Sequence, residues 1–339
     1  MKNKEYILGV DGGNTKTDYF LFDLNGKYVD AIRCGTCSHE ALSDSFSGTK
    51  RVMKEHLDVL FKRNNITVEN IVGAAFGLAG ADVVSQKEAL NKVIQEIGFK
   101  KYALENDGFL GVKAASPTGN GVCSINGTGT VTVGMDDNGE FLQVGGVGYI
   151  SGDEAGGAFL VRRTFQAIYD ELYRVGKKTI LTDQIFELYQ IPDKKYFLDK
   201  IVELTVSRKI NRTEVIKMLF ESANKNDEVS IEILETAGKC MGLSVAGCIN
   251  NLYFKDVANV ILAGSVWSKA TANHMLNKFK QVVEENVSVP CNYIILNAAP
   301  ACGAVIWALE IAKEEYPNKE LREHIISTVE QIQVNLPST

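Results

Sequence analysis

Hydrophobic and polar residues alternate along the first 35 positions in the pattern of an antiparallel sheet. One apolar run ends on Asp11, a second follows Lys16, and a third follows an Asn-Gly pair that ends at Gly26. Apolar runs separated by short Gly- and Asn-rich segments are typical of hairpins. The pattern predicts a three-stranded meander over residues 6–34, with an unusual acid-glycine-threonine sequence, DGGNT, at its first turn.

The spacing of apolar positions then changes to that of helices and buried strands. Residues 45–62 place five apolar side chains at helical spacing, and NIVGAAFGLAG has the composition of a buried strand. Residues 83–97 predict a second helix, and KYALEND predicts a strand that ends on Asp107. A meander followed by helix, strand, helix and strand predicts a mixed sheet covered by helices.

The opening design recurs 113 residues later in the chain. Residues 121–140 again run strand, Gly/Thr turn, strand and Asn-Gly turn. Thr15 lies eleven residues before Gly26, and Thr128 lies eleven residues before Gly139. This agreement in register indicates two similarly built domains, with chance similarity of two hairpins as the alternative.

The second half is predicted to be mostly helical. Helices are predicted over residues 153–174, 183–226 and 229–253, followed by a buried strand VANVILAGSVW, a helix, a strand CNYIILN and a final helical pair over residues 301–334. No low-complexity linker separates the halves. We therefore expect the domain division near residues 116–119, with the last helices returning to the first domain.

Composition narrows the classes of partner. A chain of 339 residues favours two domains about a cleft, and 45% hydrophobic with 23% charged residues excludes disorder. The net charge of -6 argues against nucleic acid as a partner. Every apolar run is shorter than the ~20 residues that span a bilayer, and the first is too short for a signal peptide. We expect a cytoplasmic protein without a membrane partner.

Cysteine and histidine usage suggests little metal chemistry. The seven cysteines form an odd, scattered set, as expected of reduced thiols. Cys34 and Cys37 form one CxxC pair, which without a second pair is more often two loop thiols than a metal or redox site. The four histidines form no HExxH motif.

Two turns carry residue types that bind phosphate. In DGGNT, glycine N–H groups and the Thr hydroxyl can donate to phosphate oxygens, and Asp11 can hold hydrated Mg²⁺ beside them. INGTGT, at residues 125–130, offers a second donor-rich turn, so the two could clamp one polyphosphate. The structural alternative is a pair of hairpin turns whose Asp and Thr satisfy local backbone. Neither a Walker A nor a GxGxxG motif occurs.

Four motifs in order, GVDGGNTKTD, INGTGT, GGVGYISGDEAGG and ILAGSVW, resemble the N-acetylglucosamine kinase and BadF/BadG/BcrA/BcrD ATPase family of the sugar kinase, Hsp70 and actin superfamily. The resemblance covers nearly the whole chain. It implies an α/β fold of two ribonuclease-H-like, actin-like ATPase domains, with mixed five-stranded sheets around a nucleotide cleft. The expected domains are residues 1–117 with the C-terminal helices of about 305–339, and residues 118–304. We also expect a homodimer.

The resemblance implies ATP and Mg²⁺ as cofactors. Asp11 would hold the Mg²⁺ through water, and Gly264 with Ser265 would support the adenosine. The residues implied to bind the nucleotide are Asp11, Gly13, Asn14, Thr15, Lys16, Gly127, Thr128, Gly129, Thr213, Gly264 and Ser265.

The resemblance also implies an acceptor site. Asp107 would take the proton from a sugar hydroxyl during phosphoryl transfer, the alternative being a helix N-cap. The residues implied to contact the sugar are Ser38, His39, Asp107, Gly145, Gly146, Val147 and Asp153. For Asp153 the alternative is an acid at a helix N-terminus. Ser38 stands where several sugar-binding relatives carry Asn, so the hydrogen-bonding set for the sugar differs.

Three functions follow from these motifs. We expect an ATP-dependent kinase that transfers the γ-phosphoryl group to the 6-hydroxyl of an amino sugar: N-acetylglucosamine, glucosamine or N-acetylmuramate. The second hypothesis is an ATPase activator of a 2-hydroxyacyl-CoA dehydratase or benzoyl-CoA reductase type system, whose relatives hold an iron-sulfur cluster between two subunits. Cys34 and Cys37 are poorly placed for that cluster. The third, a regulatory module without catalysis, is disfavoured by Asp11 and Asp107 together.

Overall fold

The structure is a computed structural model that describes residues 4–336. Its strands are Tyr6–Gly12 (β1), Lys16–Asp23 (β2), Tyr28–Gly35 (β3), Ile71–Leu78 (β4), Tyr102–Glu105 (β5), Gly121–Asn126 (β6), Thr130–Met135 (β7), Phe141–Gly145 (β8), Ala258–Ala263 (β9) and Cys291–Ile295 (β10). Its α-helices are Ser45–Asn64 (α1), Val84–Ile97 (α2), Gly108–Ala115 (α3), Gly157–Tyr173 (α4), Ile180–Leu188 (α5), Phe197–Val206 (α6), Arg212–Asn224 (α7), Glu228–Asn250 (α8), Ser265–Ser268 (α9), His274–Asn286 (α10), Pro300–Lys313 (α11) and Lys319–Asn335 (α12).

The strands form two five-stranded sheets of the same topology. The first has the order β3-β2-β1-β4-β5, and the second has the order β8-β7-β6-β9-β10. In each sheet the first three strands are antiparallel neighbours, and the last two run parallel to the first strand. The predicted α/β fold with two mixed sheets is therefore confirmed, and the repeat in the sequence corresponds to a repeat in the structure.

Both faces of the first sheet are buried, because each face packs against helices. Along β2, Tyr19 and Leu21 enter the core beneath α1 and α2, whereas Phe20 and Phe22 enter the core shared with α3 and α11. Successive side chains of a strand point to opposite faces, which explains the nearly unbroken apolar run seen in the sequence. Burying one Phe side chain stabilises the fold by about 2–3 kcal/mol.

Two helices, α3 and α11, each pack against the sheet formed by the other half of the chain. α3 follows the first sheet but packs against β6 and β7 of the second. α11 follows the second sheet but packs against β1 and β4 of the first, as well as against α3. α12 lies over the β2–β3 turn, where Leu321 and Ile325 approach Gly26. The predicted domain limits at residues 117 and 305 stay predictions, and residues 337–339 lie outside the described part of the chain.

Several predicted boundaries differ from the structure. The helix predicted to begin at residue 153 begins at Gly157, because the side chain of Asp153 is used by the loop before it. The long helical segment over residues 183–226 is three helices, α5 to α7, separated by loops. Between residues 4 and 336, no helix combines the length and apolar character needed to cross a bilayer.

Candidate active site

The turn between β1 and β2 keeps part of its donor capacity for a ligand. Gly13 donates its N–H to the carbonyl of Lys16 at 2.9 Å, which closes the turn and engages that amide. Asn14 and Thr15 are exposed, and the structure assigns their N–H groups no partner within residues 4–336. A phosphate at this turn would therefore be bound by these two amides and the Thr15 hydroxyl, with Gly13 shaping the backbone.

Lys16 is directed to a neighbouring carboxylate. Its ammonium lies 2.9 Å from Asp18 Oδ2, and the Arg33 guanidinium binds both oxygens of Asp18 at 2.6 and 2.8 Å. Gln333 of α12 donates a further bond at 3.0 Å. Burial opposes ionisation of Asp18, yet the hydrogen bonds from Arg33, Lys16 and Gln333 hold its pKa below the ordinary value. If Lys16 contacts the nucleotide as predicted, its ammonium would bind both the nucleotide and Asp18.

The turn between β6 and β7 occupies the same position in the second sheet. Gly127 donates its N–H to the carbonyl of Gly129 at 3.0 Å, and this bond closes the turn as the bond from Gly13 to Lys16 closes the first one. The carbonyls of Gly127 and Thr128 accept the N–H groups of Gly157 and Ala158 at the start of α4, at 2.8 and 3.0 Å. α4 therefore fixes the turn from one side and leaves the exposed Thr128 and Gly129 for a ligand on the other.

Asp107 lies at the junction between β5 and α3. The strand predicted to end on Asp107 ends at Glu105, and Asp107 is the residue before the first turn of α3. Its side chain makes no capping hydrogen bond, because Asn106 Oδ1 accepts the N–H of Gly108 at 2.8 Å. Asp107 therefore stands at the N-cap position of α3 without a side-chain capping bond, and Asn106 supplies the cap.

The charge of Asp107 affects the ionisation of Asp11. Burial, then the charges of Asp107 and Asp18, raise the pKa of Asp11 to about 7, against smaller opposing effects of Lys16 and Arg33. Burial, then the charge of Asp82, raise the pKa of Asp107 to about 6. Like charges in a partly desolvated environment favour protonation, so Asp11 and Asp107 would be stabilised either by binding a proton or by a nearby cation.

The arrangement around Asp11 fits a cation that takes most of its ligands from elsewhere. Residues 4–336 contain no group of three or more His, Cys, Asp or Glu side chains placed to hold a metal ion. A divalent cation beside Asp11 would favour its ionised form, which burial opposes. Mg²⁺ commonly binds through one or two carboxylates, water and nucleotide phosphates. These residues fit Mg²⁺ held in that way.

Residues 145–153 form a loop that its own aspartate holds together. Asp153 Oδ2 accepts the N–H groups of Gly146 and Gly148 at 2.9 and 2.7 Å, and the Ser151 hydroxyl at 2.7 Å. Gly145 has φ +76°, and a Cβ there would lie 2.1 Å from Asp153 Oδ1. The N–H of Gly146 is thus engaged, and Asp153 is not an acid at a helix N-terminus. Its predicted contact with a sugar would use Oδ1.

Ser38 and His39 lie in the segment after β3, and both are buried. The Ser38 hydroxyl accepts the N–H of Glu40 at 3.4 Å. The His39 ring stacks on Phe46 at 4.2 Å and packs against Gly80, and its Nδ1 has no hydrogen-bond partner among the described residues. The structure therefore places His39 beside the segment that follows β4, close in sequence to Asp82.

Thr213 and Ser265, 52 positions apart in the sequence, line one cavity of about 310 Å³. Its other walls include Ile216, Phe220 and Val266. Gly264 adopts φ +97° and packs so closely on the end of β6 that a Cβ would lie 2.3 Å from the carbonyl oxygen of Asn126. A partly apolar cavity that adjoins the strand leading into the second turn suits a purine ring.

Sequence reasoning missed Asp82, Asn106 and Gln143. Asp82 Oδ1 accepts hydrogen bonds from Asn106 Nδ2 at 2.8 Å and from Gln143 Nε2 at 2.9 Å. One signal was available in the sequence, since Asp82 follows the buried strand β4 much as Asp11 ends β1. The contact with Gln143 had no signal, because it depends on how the two sheets are placed.

The CxxC pair lies in the core of the first sheet. Cys34 and Cys37 are 5% and 2% exposed and pack with Tyr19 and Leu78. The N–H of Cys37 donates to Thr17 Oγ1 at 3.0 Å, and burial raises the pKa of its thiol. A cluster shared between two subunits needs thiolates that a second chain can reach, which this pair does not offer.

Comparison with known proteins gives concordant matches. The sequence profile of the BadF/BadG/BcrA/BcrD ATPase family matches residues 8–308. The chain is 26% identical over 307 residues to the N-acetylmuramic acid/N-acetylglucosamine kinase of Clostridium acetobutylicum, covering 90% of this chain and 98% of that protein. It is 24% identical over 327 residues to the N-acetyl-D-glucosamine kinase of Dictyostelium discoideum, covering 92% and 100% of the two chains.

Solved structures share the fold. A Chromobacterium violaceum protein assigned as an N-acetylglucosamine kinase superposes with a TM-score of 0.60 at 19% identity, and the match covers 90% of this chain and 99% of that chain. A ROK family glucokinase from Streptomyces griseus, in complex with glucose and AMPPNP, gives a TM-score of 0.50 at 16% identity, covering 91% and 99%. The predicted actin-like, two-sheet architecture is confirmed at the level of fold.

Proposed function

Because this chain belongs to the BadF/BadG/BcrA/BcrD ATPase family, we propose that it is an ATP-dependent kinase of amino sugars. The proposed reaction transfers the γ-phosphoryl group of ATP to the 6-hydroxyl of N-acetylglucosamine or a near relative, glucosamine or N-acetylmuramate. The two curated relatives described above are named as kinases of such sugars. The observation that carries the proposal is the carboxylate of Asp107, which makes no side-chain capping bond and whose charge acts on Asp11, within a fold that has two matched donor-rich turns.

In the proposed mechanism Asp107 is the base. A pKa of about 6 keeps its carboxylate mostly ionised at neutral pH, yet basic enough to accept the proton of an attacking hydroxyl. Asn106 Oδ1 caps the N–H of Gly108, and the backbone N–H groups of Asp107 and Gly108 favour the ionised form of the Asp107 carboxylate, which burial opposes. Phosphoryl transfer needs chiefly positioning and charge neutralisation, so one correctly placed acceptor for the proton suffices.

The two turns would bind the phosphates. The N–H groups of Asn14 and Thr15 on one side, and of Thr128 and Gly129 on the other, are donors without partners in the described structure. Mg²⁺ bound through water beside Asp11 would neutralise charge on the phosphate oxygens. The cavity lined by Thr213 and Ser265 would take the adenine ring, and residues 145–153 with Ser38 and His39 would surround the sugar.

A panel of sugars tests this function. With Mg²⁺ and ATP, we expect ADP release to rise at least ~100-fold above the sugar-free rate for one or more of N-acetylglucosamine, glucosamine and N-acetylmuramate, because a positioned acceptor replaces water. A coupled ADP-release assay over amino sugars and plain hexoses measures this. An equal rate without sugar and with every sugar would contradict the proposal.

The activator hypothesis is not favoured by the structure of the CxxC pair, since both thiols are buried in the core of the first sheet. A cytoplasmic location and a homodimer remain proposals that accompany the kinase function. Gel filtration with light scattering would decide the second.

A further inference from the structure

Asp82 connects the two halves of the molecule next to Asp107. It follows β4 of the first sheet, and its Oδ1 accepts one hydrogen bond from each half. Asn106 Nδ2 donates from the first half at 2.8 Å, and Gln143 Nε2 donates from β8 of the second half at 2.9 Å. One carboxylate oxygen therefore holds two amides that belong to different sheets.

The bond to Asn106 fixes the segment that carries Asp107. Asn106 is 5% exposed, and both ends of its amide are engaged: Nδ2 with Asp82, and Oδ1 with the N–H of Gly108. Asp107 lies between these two anchored residues in the chain. Asp82 therefore restrains the backbone from which the Asp107 side chain extends.

The bond to Gln143 reaches the loop of residues 145–153. Gln143 Nε2 also lies 3.3 Å from the carbonyl oxygen of Gly145. A Cβ on Gly146 would lie 2.8 Å from the same nitrogen, which shows how closely the amide backs the start of the loop. Gly146 in turn donates to Asp153 at 2.9 Å. A continuous series of contacts thus runs from Asp82 into the loop.

We infer that Asp82 is a positioning residue that links the Asp107 segment to the loop of residues 145–153. Through its two amide contacts, the base takes its working orientation only while the loop and its sheet are in place. The inference rests on the proposed function, because it assigns Asp107 and the loop to the two sides of one acceptor site.

Asp82 also acts on Asp107 through its charge. After burial, the charge of Asp82 raises the pKa of Asp107, and the charge of Asp107 in turn raises the pKa of Asp11. Lys87 of α2 is paired with Glu105. Removing the charge at position 82 should therefore lower the pKa of Asp107 toward the ordinary value. This effect can be separated from geometry, since an asparagine keeps an Oδ1 acceptor and loses the charge.

Two variants at position 82 separate the effects. For Asp82→Ala we expect kcat to fall ~10- to 100-fold with the KM for ATP nearly unchanged, because a misplaced catalytic group costs turnover and not nucleotide binding. For Asp82→Asn we expect kcat within ~3-fold of wild type, with the acid limb of the kcat/KM profile moved to lower pH. Steady-state kinetics from pH 5 to 9 measure both.

A second site tests the contact from the other side. Gln143→Met keeps the length of the side chain and removes its hydrogen bonds, so it should reproduce the loss of kcat without moving the acid limb. If the contact is real, Asp82→Ala combined with Gln143→Met should cost much less than the two single losses multiplied, since residues that share one interaction are not additive.

Hydrogen exchange gives a measure that needs no catalysis. Amides of residues 143–153 should exchange several-fold faster in Asp82→Ala and in Gln143→Met than in wild type. Asp30→Ala is the matched control: Asp30 also accepts an amide bond, from Asn64 at 2.7 Å, but it pairs with Leu21, far along β3 from the first turn. The control should leave this exchange and the pH profile unchanged.

The outcomes distinguish the two proposals. Unchanged exchange of residues 143–153 in both variants would overturn the positioning role, whatever the enzyme does to sugars. If the wild-type protein is an active kinase and Asp82→Ala has the same kcat, the positioning role is overturned as well. Absence of activity toward every sugar, with faster loop exchange in the variants, would reject the kinase function and leave the link between Asp82 and the loop established.

Discussion

Asp107→Asn is expected to lower kcat by about 10²–10⁴-fold while leaving nucleotide affinity within ~3-fold of wild type. Asparagine has the shape of aspartate but cannot accept a proton at neutral pH, so only the transfer step loses its base. The fold should persist, because Asn106 and not Asp107 caps α3. Turnover is measured by coupled ADP release, and affinity for ATP by calorimetry.

Asp199→Asn is the matched control. Asp199 is exposed on α6, so this substitution removes the same charge from another part of the molecule. It should be indistinguishable from wild type. If Asp107→Asn turns over at a near-normal rate with correct folding, Asp107 is not the base. Loss of ATP binding together with turnover would instead place Asp107 in the nucleotide site.

Asp11→Asn is expected to reduce kcat/KM for ATP by about 10²–10³-fold and to raise the Mg²⁺ concentration needed for half-maximal rate. The lost group is the carboxylate at the end of β1, next to the first turn. A magnesium titration at fixed ATP measures the second effect. A variant with an unchanged magnesium requirement would contradict the role of Asp11 on the metal side.

The same variant should change how stability depends on pH. The pKa of Asp11 is about 7 in the folded protein and about 3.8 as an unperturbed group. The folded state therefore binds more protons between these values, and the free energy of unfolding of the ligand-free protein decreases as pH rises from about 4 to about 7. Asp11→Asn removes this decrease, so its Tm should exceed that of wild type at pH 8 and match it more closely at pH 4. Parallel melting curves at every pH would contradict this.

The sequence predicted the parts of the molecule that local pattern determines. The repeat that relates Thr15 to Thr128 identified two sheets of one design, since each sheet is built from strands close in sequence. Both donor-rich turns were found because glycines and hydroxyl side chains interrupt apolar strands there, and their role in phosphate binding stays a prediction. The resemblance added Asp107 and the residues of the cavity, which local pattern does not indicate.

The remaining features depend on how distant segments pack. The exchange of α3 and α11 between the sheets, and the contact of Asp82 with Gln143, arise only when the two halves meet. The start of α4 was misplaced because Asp153 binds its own loop, a side-chain choice that competes with the helix. Strand β5 was made too long because Asn106 begins the helix cap.

The position of the transferred phosphate tests the central claim most directly. Wild-type enzyme is incubated with Mg²⁺, ATP and N-acetylglucosamine, and the product is examined by ³¹P–¹H correlation NMR, with the 6-deoxy sugar in parallel. The account predicts phosphate on O6, and no phosphorylated product from the 6-deoxy sugar. Phosphate on another hydroxyl, or inorganic phosphate at the same rate with either sugar, would contradict it.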